Sequence, residues 1–162
     1  MNEHSLKTAA SWLILTLIIM QFIPLNRINP PENNPLTAPA EIVTILKKSC
    51  YDCHSHQTRW PAPAYIAPVS WAANAKVAAG RRALNFSRWR DIDSETAALR
   101  MHAIRKTVLD GTIHEQLYYR WKPASRLTEE ERIVLLKWVD NYGREQQTGF
   151  KNSGNTLQDK SF

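Results

Sequence analysis

Apolar residues recur at helical spacing through the middle of the chain. Residues 40–48 carry an apolar stripe, and the alanine-rich residues 71–84 follow a loop that contains three prolines. A third stretch at helical spacing ends at Leu109, directly before the pair Asp110-Gly111, and a glycine at this place is typical of a helix C-terminus. No stretch of the sequence alternates with the period of two that a half-buried strand requires. The pattern predicts an all-α fold.

Two segments are typical of helix starts. Asp93 or Ser94 can cap the third helix, because a short polar side chain accepts hydrogen bonds from the first backbone amides. Thr128, with Glu131 three residues later, has the form of a capping box. An apolar side continues behind it as far as Gly143, which predicts a further helix that ends there.

The N-terminal residues form the most apolar part of the chain. Between Lys7 and Arg27 lie 19 residues without a formal charge. A helix of that length reaches about 28 Å, close to the hydrocarbon thickness of a bilayer. A cleaved signal peptide and a buried core helix are the alternatives, but the run leads into Pro24 without the small residues of a cleavage site. We expect residues 1–27 to be an uncleaved transmembrane anchor with its N-terminus in the cytoplasm.

The rest of the chain divides by composition. Residues 28–39 are rich in proline and are expected to form a semi-rigid linker that lifts a domain off the membrane. Residues 40–145 form the expected working domain. Residues 146–162 are polar, contain two glycines and show no apolar period, so we expect a flexible tail.

Composition narrows the class of protein. A chain of 162 residues with 43% hydrophobic and 22% charged residues suits one modest globular domain with extensions. The absence of a glycine-rich loop from the sequence excludes Walker and dinucleotide-binding fingerprints. The net charge of +6 could suit nucleic acid, acidic lipid or an acidic redox partner. Nucleic acid is excluded as a partner if the domain lies outside the cytoplasm.

Both cysteines lie in the segment CYDCH, as Cys50 and Cys53, with His54 directly after them. This spacing is the pattern of covalent c-type haem attachment. Thiols three residues apart lie on one side of a helical turn, where each can add to one vinyl group of the same porphyrin, and the histidine supplies the proximal iron ligand. A redox disulfide and a zinc site are the alternatives, but no strand precedes the pair and zinc requires four ligands. The predicted cofactor is one covalently bound haem c.

Longer segments extend this interpretation. The segment CYDCHSHQTRWPAPAYIAP, followed by VSW, GRRALNFSRW and RLTEEERIVLLKW, resembles the small haem-binding domain family of membrane-anchored, single-haem c-type cytochromes. The segment QFIPLNRINPPENNP is similar to the linker that these proteins place after their anchor, so the resemblance spans nearly residues 22–138. It implies a cytochrome c-like helical domain around one covalent haem, behind an N-terminal transmembrane helix.

The sequence departs from that family where the distal iron ligand is expected. Many members carry a Met-Pro pair soon after the glycine that ends the third helix, and that methionine resembles a distal ligand. Counted back from Pro123, Ile113 and His114 stand at these two positions. Met101 fits the apolar stripe of the third helix, so we expect it in the core. His114 is therefore the candidate distal ligand; the alternatives are an open or weakly ligated iron covered by Ile113, or another ligand.

The remaining histidines, the tryptophans and a group of arginines are expected to have mainly structural roles. His56 is expected in a solvated loop, and His102 at the boundary of the third helix. The tryptophans are expected to pack around the porphyrin, with an N–H bond to a haem propionate as the alternative. A basic group is expected to form a solvated face or to neutralise the propionates: Arg81, Arg82, Arg88 and Arg90.

These features predict a membrane-tethered monohaem c-type cytochrome that transfers electrons. We expect it at the bacterial inner (cytoplasmic) membrane, with the haem domain in the periplasm, and we expect no enzymatic activity. Its partners would be the membrane, through the N-terminal helix, and unidentified redox proteins. The alternative is a haem-based gas or redox sensor with an open or displaceable distal site. A peroxidase-like enzyme is a weaker alternative, because one haem lacks a second electron source.

Overall fold

The computed structural model describes residues 2–111 and 116–158 of the chain. Within these residues every regular element is a helix, which confirms the predicted all-α class. Short 3₁₀ helices cover Ala62–Tyr65, Phe86–Asp91 and Pro123–Ser125. The α-helices are α1 (Glu3–Gln21), α2 (Ala40–Ser49), α3 (Tyr51–His54), α4 (Val69–Ala83), α5 (Ser94–Asp110), α6 (Gln116–Trp121) and α7 (Glu129–Gln158).

The predicted caps of α5 and the predicted start of α7 are confirmed by the backbone geometry and the hydrogen bonds. Asp93 Oδ1 accepts the backbone N–H of Thr96 at 2.8 Å, and α5 ends at Gly111 in the left-handed conformation, with φ of 65°. At the start of α7 the Glu131 N–H donates to Thr128 Oγ1 at 3.2 Å, while the Thr128 N–H donates to Glu131 Oε2 at 2.8 Å. This reciprocal pair is a capping box.

Helix α7 lies at the centre of the packing, because it contacts both α5 and α2. Leu46 of α2, Met101 of α5 and Leu135 of α7 are each at most 2% exposed. Burial of side chains of this size contributes about 1.5–3 kcal/mol each. The core position of Met101 confirms the interpretation of this residue as a packing residue. An ion pair between Lys48 Nζ and Glu131 Oε1, at 2.7 Å, joins the end of α2 to the start of α7.

Residues 28–39 pack along the helical domain instead of standing apart from it. Leu36 is buried, and its backbone N–H donates to the Phe86 carbonyl at 2.8 Å. Asn29 Nδ2 donates to the Thr58 carbonyl at 3.0 Å. The expectation of a spacer was wrong in this respect. Prolines remove donors from the segment, but several of its other polar groups find partners in the domain.

Helix α1 contains the apolar N-terminal run, and none of its residues is buried. No helix among residues 2–111 and 116–158 combines the length and the apolar character that crossing a membrane requires. The uncharged run reaches Asn26, but α1 ends at Gln21, shortly before Pro24. Its uncharged helical part, residues 8–21, rises about 21 Å, whereas a hydrocarbon core is about 30 Å thick. The expected transmembrane helix is therefore not found.

Helix α7 is longer than the sequence pattern predicts. The apolar side was expected to end at Gly143, yet the helix continues to Gln158. A single glycine inside a helix costs only about 1 kcal/mol relative to alanine. Gly143 therefore does not end the helix, and the helix enters the segment that was expected to be a flexible tail.

Candidate cofactor site

The two cysteines lie at the junction of α2 and α3. Helix α2 ends at Ser49, and Cys50 breaks the helical path with φ of −124° before the single turn of α3 begins. Cys53 and His54 are the last two residues of that turn. No disulfide joins the two cysteines. Only Tyr51 and Asp52 separate the two cysteines along the chain.

A cavity of about 210 Å³ is lined by Cys50, Cys53 and His54 together. Its other walls are mainly apolar. They come from the end of α4 and the residues after it, from one face of α5, and from α7. A second cavity, of about 170 Å³, adjoins the first, because Asp52, Cys53 and Tyr118 line both.

The imidazole of His54 is held in one orientation by α4. Its Nδ1 lies 3.0 Å from the Gly80 carbonyl oxygen and 3.1 Å from the Leu84 carbonyl oxygen. Since a carbonyl only accepts, Nδ1 carries the ring hydrogen and donates it. Nε2 is then the nitrogen with a lone pair for a metal, and a second hydrogen-bonded ring nitrogen is the usual support of a metal-ligating histidine.

Gly80 allows α4 to approach the cysteine segment this closely. A Cβ built at Gly80 would lie 2.5 Å from the Cys53 carbonyl oxygen and 3.1 Å from its carbonyl carbon. These are backbone atoms, so a longer side chain would force the two helices apart. Gly80 thus brings its own carbonyl within reach of His54.

Asp52, between the two cysteines, anchors the segment before α7. Its buried carboxylate accepts the Tyr118 hydroxyl at 2.6 Å, the backbone N–H of Arg59 at 2.9 Å and the ammonium of Lys122. Burial alone would raise the pKa of Asp52, but the hydrogen bonds from Lys122 and Tyr118 and from the Arg59 amide outweigh it and hold the pKa below its ordinary value. Burial and the bond to Asp52 raise the pKa of Tyr118. The carboxylate is therefore ionised and fully paired.

The thiol of Cys50 is not activated. Burial, followed by the neighbouring charge of Cys53, raises the pKa of Cys50 to about 12. Redox-active cysteine pairs depend on a lowered thiol pKa, since the thiolate is the nucleophile in disulfide exchange. The raised pKa of Cys50 therefore disfavours the interpretation of the two cysteines as a redox-active disulfide.

Comparison with known families identifies the family of the chain. A model of the haem-binding domain family matches residues 15–141. The chain belongs to the haem-binding domain family. Neither the curated proteins nor the solved structures contain a match to the chain. The resemblance found from the sequence is confirmed at the level of the family.

The cavity of this haem-binding domain fits a haem by its chemistry. Apolar walls such as Leu84, Ile104 and Val108 suit the porphyrin face, and the two cysteines and His54 line the same cavity. Two further lining groups, Ser49 Oγ and Arg100 Nε, are buried without a hydrogen-bond partner among the described residues. Buried polar atoms normally have partners, so the cavity offers polar atoms that a ligand can satisfy.

The histidines of the haem-binding domain lie in different environments. His114, the candidate distal ligand, lies outside the described residues, as does Ile113. His102 is exposed on α5. His56 is not a purely solvated residue, because its Nδ1 lies 2.9 Å from the Pro31 carbonyl oxygen and its Nε2 lies 3.0 Å from Asn85 Nδ2. His54 is the histidine that lines the cavity among the residues that the structure describes.

The arginines and tryptophans singled out in the sequence do not line the first cavity. Arg81 Nε donates to the Ser55 carbonyl at 2.8 Å, and Arg88 forms an ion pair with Asp91. Trp89 is buried in the core, where its Nε1 donates to the Tyr142 hydroxyl at 2.9 Å. These contacts are structural, so neither group supplies the donors around the cavity.

Sequence reasoning missed Arg100 and Gly80. Arg100 stands four and eight residues before Ile104 and Val108, so it lies on the apolar face of α5. A charged residue within such a stripe is a detectable signal. Gly80 interrupts an alanine-rich helix, where a glycine is costly unless a close approach requires it.

Proposed function

We propose that this haem-binding domain carries one covalently bound haem c, attached at Cys50 and Cys53, with His54 as proximal iron ligand. The observation that carries the proposal is the convergence of these three side chains on one apolar cavity, with His54 Nδ1 donating to backbone carbonyls. Each thiol would add across one vinyl group, its sulfur bonding to one vinyl carbon and its hydrogen going to the other. The bound group would supply a one-electron couple.

The residues around the cavity support a role in electron transfer. Gly80 and Leu84 orient the proximal imidazole through their carbonyls, and α5 and α7 supply apolar walls of the cavity. A fixed ligand in a mainly apolar surrounding suits a group that exchanges electrons without making or breaking bonds. We infer an electron carrier, and no enzymatic activity is proposed for it.

The spectroscopic test uses the full chain expressed with a c-type maturation system. We expect a pyridine haemochrome of the c type, and a low-spin, six-coordinate iron by optical absorption and EPR. A chain without haem would contradict the whole proposal. High-spin iron that binds CO would contradict the carrier and support the sensor. The variant His114→Ala is expected to change the spin state, and His102→Ala, at an exposed position of α5, serves as its control.

Attachment to a membrane belongs to the same proposal. Trp12, Ile14 and Ile19 of α1 are 58–65% exposed, and an apolar helix surface of this kind needs a cover such as lipid. Gln21 Oε1 accepts the Ala67 N–H at 3.1 Å, so the end of α1 lies against the domain. We infer attachment to the inner membrane with the domain in the periplasm, where c-type haem is attached and where redox proteins would be its partners.

The attachment is tested by fractionation of cells that express the full chain. We expect the protein in the membrane pellet after ultracentrifugation at physiological ionic strength, and the double variant Ile14→Glu/Ile18→Glu in the supernatant. Leu99→Glu replaces an equally exposed apolar residue on α5 and is expected to leave the protein in the pellet. Recovery of the unchanged protein in the supernatant would contradict attachment to the membrane.

A further inference from the structure

Arg100 is the cationic side chain that lines the cavity with Cys50, Cys53 and His54 among the residues that the structure describes. It projects from the face of α5 that also carries Ile104 and Val108. An arginine on an otherwise apolar wall is unusual, because burying a polar atom without a partner is costly. Arg100 is half-buried, and the atom of its guanidinium that is fully buried is Nε.

The guanidinium is anchored but only partly satisfied. One of its N–H groups, at Nη1, donates to the Ala83 carbonyl at the end of α4. Its Nε is buried and has no hydrogen-bond partner among the described residues. A buried donor without a partner is costly, so this atom points to a group that the protein chain does not itself provide.

Asp52, which also lines the cavity, does not pair with Arg100. Asp52 is already bonded to Tyr118, Lys122 and the Arg59 amide. The missing partner should therefore be an anion that enters with the ligand. A carboxylate fits best, because the planar guanidinium can present two parallel N–H groups to its two oxygens.

We propose that Arg100 binds a propionate carboxylate of the haem and thereby raises the reduction potential of the iron. This inference rests on the proposed haem attachment. It assigns the role to a residue other than the arginines that the sequence singled out. Arg81 and Arg88, for example, have partners elsewhere in the domain. The sign follows from charge: a positive group near the haem stabilises the form that has gained an electron.

The test compares Arg100→Gln with Arg105→Gln in the full, haem-loaded chain. Both changes remove one positive charge from α5, but Arg105 pairs with Asp140 at the surface, at 2.8 Å. We expect Arg100→Gln to lower the ratio of reduced to oxidised protein about tenfold at a fixed electrode potential, which is about 59 mV for a one-electron couple. We expect Arg105→Gln to change it far less. Resonance Raman spectra should show altered propionate bending modes only for Arg100→Gln.

Equal shifts in the two variants would overturn the proposal, since they would report net charge alone. Unchanged propionate modes in Arg100→Gln would overturn it as well. If Arg100→Gln does not load haem, the variant Arg100→Lys is measured instead. Altered propionate bending modes at a nearly unchanged reduction potential would support the contact between Arg100 and the propionate. Unchanged propionate bending modes would refute it. Absence of haem from the unsubstituted chain would instead refute the proposed function, so the two failures are distinguishable.

Discussion

The double variant Cys50→Ala/Cys53→Ala is expected to lose all covalently bound haem. The two thiols are the cysteines of the chain, and both line the cavity beside His54. Without them no thioether can form, so any haem in the cavity is held by coordination and apolar contacts alone. Extraction with acidified organic solvent should then remove the haem completely from the variant and not from the unsubstituted protein.

Variants in which only one of the two cysteines is replaced test the same attachment one thioether at a time. Each should keep one thioether and one unreacted vinyl group, so the pyridine haemochrome band should move to longer wavelength. The matched control is Ser49→Ala, which removes a buried hydroxyl from the same cavity wall one residue before Cys50. This variant should retain its haem. Haem that resists extraction in the double variant would rule out attachment through these cysteines.

The substitution Gly80→Ala is expected to destabilise the protein by about 3 kcal/mol, at the upper end of the range for overpacking of a tight interior. The added Cβ would lie 2.5 Å from the Cys53 carbonyl oxygen, a backbone atom that cannot turn aside. Relief of the clash must move α4 away from α3. The Gly80 carbonyl would then withdraw from His54 Nδ1, so the spectrum of the proximal ligand should change together with the stability.

Gly143→Ala is the control for this substitution, with the opposite sign. Among the described residues, a Cβ built at Gly143 inside α7 meets nothing within 4 Å apart from its chain neighbours and the backbone of its own helix. Alanine should therefore stabilise the helix by about 0.5–1 kcal/mol. Thermal or denaturant unfolding of the two variants measures both effects. A Gly80→Ala variant as stable as the unsubstituted protein would show that α3 and α4 do not require this close approach.

The course of residues 28–39 shows where local reasoning stops. Four prolines in this region correctly exclude helix and strand, and the structure has neither there. Whether such a segment extends into solvent or packs on a domain depends on partners far along the chain. Leu36 finds its partner at Phe86, and Asn29 at Thr58.

The sequence by itself determined the helical class, the caps of α5 and α7, and the cysteine–histidine motif. Each of these depends on residues within a few positions of one another. Helical periodicity repeats every 3.6 residues, the Thr128 capping box joins positions three apart, and two thiols three apart share one side of a turn. The resemblance to the haem-binding domain family rested on the same local segments.

Only the tertiary structure decided how the motif is held and what surrounds it. The carbonyls that orient His54 lie 26 and 30 residues away, and the groups that pair with Asp52 include Tyr118, 66 residues away. Arg100 becomes a cavity residue because α5 turns that face towards the cysteines. Such contacts join distant parts of the chain through packing, so no local pattern of residue types specifies them.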